Sequence, residues 1–358
     1  GSKAGTNVTS SSSNVTLTTD TLQWDVATTV NTTGALSILS NAASFASAFT
    51  TTNLTLGAPI SGLTIGKTTN TQAVTVASGY GANIAGPISI YGGNITLSAN
   101  LTSTAAASPL LVKAQGYISS STDNLLFQTN NSSQVYWVNA NGGSNGYIYF
   151  TGPNVTFNSA NGNTNQASGG GDIIFGGGTA SLNGAPTGAA NSSVTHGILF
   201  GPWSGGLTST YMYSGGGNIS VNGTSSVATG TGVYWTRGMV LAAGNGNITI
   251  VGNSTVAGGS YGVALVGFGQ GGYNITAAGN ITITGNTMSY QGIWAPGASG
   301  GNITTSGAGN ILITGQSTAL EGIRFYYNDA GAPLYNFTGT GTGSITINGT
   351  SPTANFST

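Results

Sequence analysis

One phrase recurs between residues 217 and 350: GNISVNG at 217, GNITIVGN at 246, GNITITGN at 279, GNILITG at 309 and GSITING at 343. From Asn218 to Asn247, Asn280, Asn310 and Ser344 the steps are 29, 33, 30 and 34 residues. A second marker keeps a stricter interval. Gly232-Val233, Gly262-Val263, Gly292-Ile293 and Gly322-Ile323 follow one another every 30 residues. Two markers with one shared period mean structural repeats, and self-similarity at roughly 20 to 50 residues belongs to solenoids, propellers or arrays.

Within one repeat the apolar residues alternate with Thr, the period of a strand with one buried face. Ile281 and Ile283 should face in and Thr282 out. Ile293 and Ala295 should share an inner face with Val233/Trp235, Val263/Leu265 and Ile323/Phe325. A third strand is expected at Asn274-Ile275-Thr276 and Asn302-Ile303-Thr304. Three short strands separated by Gly/Asn/Ser turns make one coil, and stacked coils sit ~4.8 Å apart. Gly and Asn suit the corners because both tolerate a left-handed backbone, and the Asn before each ITI is placed to form a side-chain ladder. A propeller would need about 40 to 50 residues per blade, longer than the step seen here. The expected fold is therefore all-β, a parallel β-helix with about 30 residues per three-strand coil in the C-terminal half, roughly a dozen coils and ~55 Å of rod.

Composition fits a thin, neutral rod. Only 3% of residues are charged, against ~25% in ordinary soluble domains. There are 61 Gly, no Cys and one His, and the formal net charge is −1. Nucleic acid and anionic membranes both demand basic clusters, so neither is an expected partner. No apolar run reaches the ~18 residues of a membrane span and no signal peptide is evident. The chain does not open on Met, as in an excised piece. Its hydroxyl- and amide-rich surface suits an extracellular, protease-resistant object.

No composition shift marks a boundary, so residues 1–358 read as a single solenoid domain. Residues 1–13 are expected to fray. The Ala-rich stretch 41–49 favours a short helix or an irregular excursion. Residues 158–192 should hold long Gly/Asn-rich loops, and 193–350 the most regular coils.

The phrases GNITLSANLTS (93–103), GNITITGN and GNILITG resemble the β-helical passenger regions of large secreted bacterial adhesins, the filamentous-haemagglutinin-like and autotransporter families. The resemblance is patchy over most of the chain and specific for architecture. It implies a right-handed parallel β-helix, exported by a type V or two-partner route and displayed on the cell surface. Asn-X-Ser/Thr sequons at Asn94, Asn218, Asn247, Asn274, Asn280 and Asn302 are candidate glycosylation sites, since some adhesins of that kind carry sugars at such positions.

Chemistry has little to work with. Some β-helices cleave polysaccharides, which takes clustered carboxylates. Here Asp20, Asp25, Asp123, Asp172, Glu321 and Asp329 are scattered, and on a regular strand Glu321 and Arg324 would point to opposite faces. His196 has no second His or Cys to share a metal. Gly170-Gly171-Asp172 occurs once, too few for a calcium-binding repeat. The glycines at 267–272 lead into a strand phrase, so they lack the helix that a phosphate loop needs. Paired threonines such as Thr282/Thr284 do not recur in register, as a flat ice-binding row would require. No catalytic residue, metal or cofactor is expected.

The remaining lead is an outward column: Tyr234, Ala264, Trp294 and Arg324. Tyr234 and Trp294 should stand two coils, ~10 Å, apart, with Arg324 one coil beyond and able to lie over the Trp294 ring. The reading is a non-enzymatic surface adhesin segment that touches glycans or neighbouring cells weakly and many times. A subunit that associates end to end into a filament is the alternative, and a polysaccharide-acting enzyme the third.

Overall fold

Alternation of buried aliphatic and outward polar residues persists along almost every strand. The computed structural model describes residues 6–22, 26–80, 83–182, 185–201, 209–258, 260–266, 272–297, 300–327 and 335–352. Among them all named elements are strands, and the pairing that builds the rod is parallel. Among the described residues no helix is long and apolar enough to cross a membrane.

Three faces wind into a parallel β-helix. The long face runs from Val15–Thr18 to Ile345–Thr350. The second runs from Phe49–Thr50 to Ile323–Tyr327, the third from Leu101–Ala106 to Tyr335–Gly339. One coil visits Ile248–Ser254, Val263–Leu265 and Tyr273–Ala277, then returns to the long face at Ile281–Thr287. Each strand pairs with its equivalent one coil away. Val233 lies on Val263, Val263 on Ile293 and Ile293 on Ile323. Ile219, Ile248, Ile281, Ile311 and Ile345 form the matching file on the long face. Full burial of each such side chain contributes about 1.5–3 kcal/mol, realised only when the next coil is present.

The asparagine ladder forms. The Asn247, Asn280 and Asn310 backbone N–H groups donate to Oδ1 of Asn218, Asn247 and Asn280, at 3.0, 2.8 and 2.8 Å. Ser344 N–H continues the series onto Asn310 Oδ1 at 2.8 Å. At the other end Asp172 Oδ1 accepts from Asn218 N–H at 2.7 Å, so the aspartate of the Gly-Gly-Asp phrase caps this column.

The glycines at the corner between the long and second faces serve close approach. A Cβ on Gly252, Gly285 or Gly315 would collide with the carbonyl oxygen of Gly262, Gly292 or Gly322. A Cβ on Gly262, Gly292 or Gly322 would in turn strike the backbone nitrogen of Asn286, Gln316 or Thr350. None of these six has positive φ; the left-handed corner glycines stand elsewhere, among them Gly216 and Gly244 ahead of the long face and Gly272 and Gly300 ahead of the third. Asparagines share the left-handed backbone at other bends, among them Asn53, Asn124, Asn131, Asn139, Asn154 and Asn161.

Three further expectations are sharpened. Of the two courses expected for 41–49 the structure takes the irregular one, a run of bends over 41–48, because the N–H groups there are committed elsewhere. Ala42 donates to Asp20 Oδ1 at 2.8 Å, Phe45 to Asn70 Oδ1 at 3.2 Å and Ala46 to Asp20 O at 2.7 Å. Of the stretch expected to fray, Thr6–Thr9 pairs in parallel with Thr28–Asn31. Within 158–192 the loop is confined to the first part. Ile173–Leu182 takes its place on the long face, then turns back antiparallel against Ala185–Gly188. Part of that hairpin lies over Trp137, whose indole N–H donates to Gly178 O at 2.6 Å.

Candidate functional site

The expected column, Tyr234, Ala264, Trp294 and Arg324, stands in register across consecutive coils of the second face, with Ala264 fully covered, Tyr234 and Trp294 half-buried and Arg324 exposed. A second column joins it from the corner. The residue before each Gly-Val or Gly-Ile marker is Thr231, Tyr261, Gln291 or Glu321, and His196 holds the same place before Gly197-Ile198. The two columns interlock. Tyr261 stacks on Trp294 with ring centroids 4.4 Å apart and planes 8° from parallel. Tyr290 meets Tyr261 edge-on at 5.6 Å and 88°. Gln291 Nε2 donates to Glu321 Oε2 at 2.7 Å, and Glu321 pairs with Arg324 at 3.8 Å.

That ion pair corrects the expectation that Glu321 and Arg324 point apart. Glu321 belongs to the corner, ahead of the strand Ile323–Tyr327, so strand alternation does not govern it. Both side chains are about two-fifths exposed, 37% and 43%, and a pair so wet contributes little stability. The Gln291 amide and the glutamate's own backbone hold the Glu321 carboxyl below its ordinary range, so it stays an acceptor at neutral pH. Burial pushes the Tyr261 phenol up, so it stays a donor. The cluster thus offers a half-buried indole, two phenols, an amide, a carboxylate and a guanidinium on rungs that neighbours hold rigid. One face of Trp294 is covered by Tyr261, a restriction that the column alone does not reveal.

Toward the N-terminus the same face carries Tyr117 stacked on Tyr147 at 4.6 Å, Tyr147 against Tyr149 at 4.4 Å, and His196 edge-on to Tyr234 at 4.9 Å. His196 is 8% exposed, and its Nδ1 accepts the Thr231 N–H at 2.9 Å. Burial lowers its pKa to about 4, against about 6.5 for a solvated imidazole. The folded chain therefore resists the proton that the unfolded chain takes up. Stability is unaffected above about pH 6.5 and falls as the pH drops from there toward 4. Loss of roughly 3 kcal/mol between pH 7 and pH 4 is expected, read as a lower urea midpoint. His196→Gln should show a shallower decline over that window; an equal slope would remove His196 as its source.

The sequons divide by position. Asn218, Asn247 and Asn280 are exposed ladder members, and Asn247 Nδ2 is spent on Asn218 Oδ1 at 3.0 Å. Asn94 is half-buried and accepts the Tyr117 N–H at 3.2 Å. Asn274 and Asn302 are exposed on the third face, in register with each other and with Asn336, which opens another sequon.

Among the described residues no three His, Cys, Asp or Glu side chains gather to hold a metal. Asp20 and Asp172 accept backbone N–H groups. Asp25, Asp329 and the glycines at 267–271 lie outside the described residues. No protein-family model, no curated protein and no solved structure matches the chain.

Proposed function

We propose that this chain is a rigid extracellular segment of a surface adhesin, non-enzymatic, that holds a weak glycan-contacting surface away from the cell. The observation that carries the reading is the cluster of Tyr261, Tyr290, Trp294, Gln291, Glu321 and Arg324 on adjoining rungs. Tyr and Trp provide wide amphipathic contact at small entropic cost, and the polar trio supplies donors and acceptors for sugar hydroxyls. Single contacts of this kind are weak, and strength would come from many chains displayed together. Glycosylation at Asn274 and Asn302 and an address at the cell surface belong to the same proposal.

A glycan array probed with the multimerised chain tests it. Trp294→Ala should weaken retained binding about tenfold without shifting the thermal midpoint by more than a few degrees. Binding that is the same with and without the indole would end the site assignment. Electron microscopy of the pure chain separates the competing role: isolated rods fit a stalk segment, whereas continuous fibres would make it a self-assembling filament subunit. Turnover of a polysaccharide would instead favour an enzyme.

A further inference from the structure

A groove lies on the same corner, one row away from the aromatic cluster. Asn253, Asn286 and Gln316 stand in register at the outer end of the long face. Thr255, Met288 and Thr318 follow two residues later in each coil, all exposed. Between these two rows runs an open groove of about 500 Å³, extending to Thr350. The residues between the rows, Ser254, Thr287 and Ser317, turn their side chains inward.

One wall is an amide ladder. Asn286 Nδ2 donates to Asn253 Oδ1 at 2.8 Å, and Asn253 Nδ2 to Thr224 Oγ1 at 3.4 Å. A ladder amide spends one N–H and one lone pair on its neighbours and keeps a second of each. The Asn253 and Asn286 rungs therefore each keep a donor and an acceptor, Gln316 brings a third amide in register and Thr350 a hydroxyl, with rungs ~4.8 Å apart. The other wall adds two hydroxyls and the thioether of Met288, 48% exposed. Among the described residues no ionisable side chain lines the groove.

The period discriminates between ligands. An extended polypeptide repeats one side-chain face every ~6.8 Å and loses register with the rungs at once. An extended β-1,4-linked hexose chain advances by close to one rung per sugar. It offers hydroxyl edges to the amides and C–H ring faces to Met288. We infer that this groove binds a linear, uncharged β-1,4-linked hexose polymer lying parallel to the rod axis, one sugar per rung. The inference rests on the glycan-contact reading above and adds the ligand's charge, shape and direction.

Calorimetric titration of the full chain with cello-oligosaccharides and manno-oligosaccharides, from disaccharide to hexasaccharide, tests it. Affinity of at least one series should rise about tenfold up to the tetrasaccharide and then level, because four rungs line the groove at Asn253, Asn286, Gln316 and Thr350. Thr318→Trp fills the groove from an exposed position and should abolish binding with an unchanged melting curve. Asn286→Ala should weaken it about tenfold. Affinity that ignores chain length, or Thr318→Trp binding like the parent, would overturn the groove. Continued loss of array binding in Trp294→Ala would then leave the broader glycan reading standing. Silence of both the oligosaccharides and the array would overturn both.

Discussion

Replacing Gly285 by alanine is expected to destabilise the rod by about 3 kcal/mol or more. The long-face strand runs on past Gly285 to Thr287, and the chain loops through residues 288–291 and returns so that Gly292 lies alongside Gly285. An added Cβ would sit inside the 3.0 Å that real Cβ atoms essentially never cross, against Gly292 O. That neighbour is backbone, fixed in turn because Gly292 abuts Gln316 N in the next coil, so neither side can yield cheaply. In a solenoid each coil is held only by its neighbours, so amide exchange should quicken at Ile281–Thr287 and Ile293–Gly297 before it does in distant coils. Gly349 supplies the internal control. It occupies the same place in its phrase, in register with Gly315, yet a Cβ there meets nothing closer than 3.6 Å. Gly349→Ala should change the urea midpoint by the equivalent of no more than about 0.5 kcal/mol. Equal midpoints for the two variants would show that close approach is not why the phrase keeps its glycine.

The sequence disclosed these rungs through periodicity. Val233, Val263, Ile293 and Ile323 could be placed in one file because their spacing never varies, and Asn218 to Ser344 in one ladder because the same phrase surrounds each. The column Tyr234, Ala264, Trp294, Arg324 followed from alternation alone. Tyr261 and Gln291 carry no such signal, and strand alternation sends Glu321 away from Arg324, although the same interval places all three one residue ahead of a Gly marker. They sit in a corner, where alternation gives no direction, and only the fold of the loop turns Tyr261 onto Trp294 and joins Gln291 to Glu321 and Glu321 to Arg324. Residues 41–48 left two courses open for a related reason. Local propensity favours helix there, but Asp20 and Asn70, distant in sequence and adjacent in the stack, capture the N–H groups a helix needs. Long-range partners of this kind have no local signature.

Phe157→Ala should cost about 4 kcal/mol, among the largest losses open to any single truncation in this chain. The middle coils differ from the C-terminal ones in filling their interior with rings. Phe127, Tyr136, Phe150, Phe157, Phe175 and Phe200 are all fully buried. Phe157 stands at the centre, with centroids 5.3 Å from Phe127, 5.2 Å from Tyr136, 4.9 Å from Phe150, 5.0 Å from Phe175 and 6.2 Å from Phe200. Most of these contacts are edge-to-face, the arrangement the ring quadrupole favours. Beside them Gln134 takes an inner position that Leu110 and Ile173 occupy in the adjoining coils. Its amide donates to Phe127 O at 3.0 Å and Asn158 O at 2.8 Å, and its Oε1 accepts from the Tyr136 hydroxyl at 3.2 Å. The rings therefore pack against a polar anchor that fixes their height, and the surroundings cannot slide in to close the void left by alanine. Phe157→Leu, which keeps most of the volume, should lose roughly half as much. The cavity in Phe157→Ala, lined by apolar rings, should stay dry and take up benzene, with the urea midpoint partly restored on saturation. A variant that unfolds at the parent's midpoint, or that benzene leaves unmoved, would mean that the ring cluster relaxes freely and does not determine the rigidity of the middle coils.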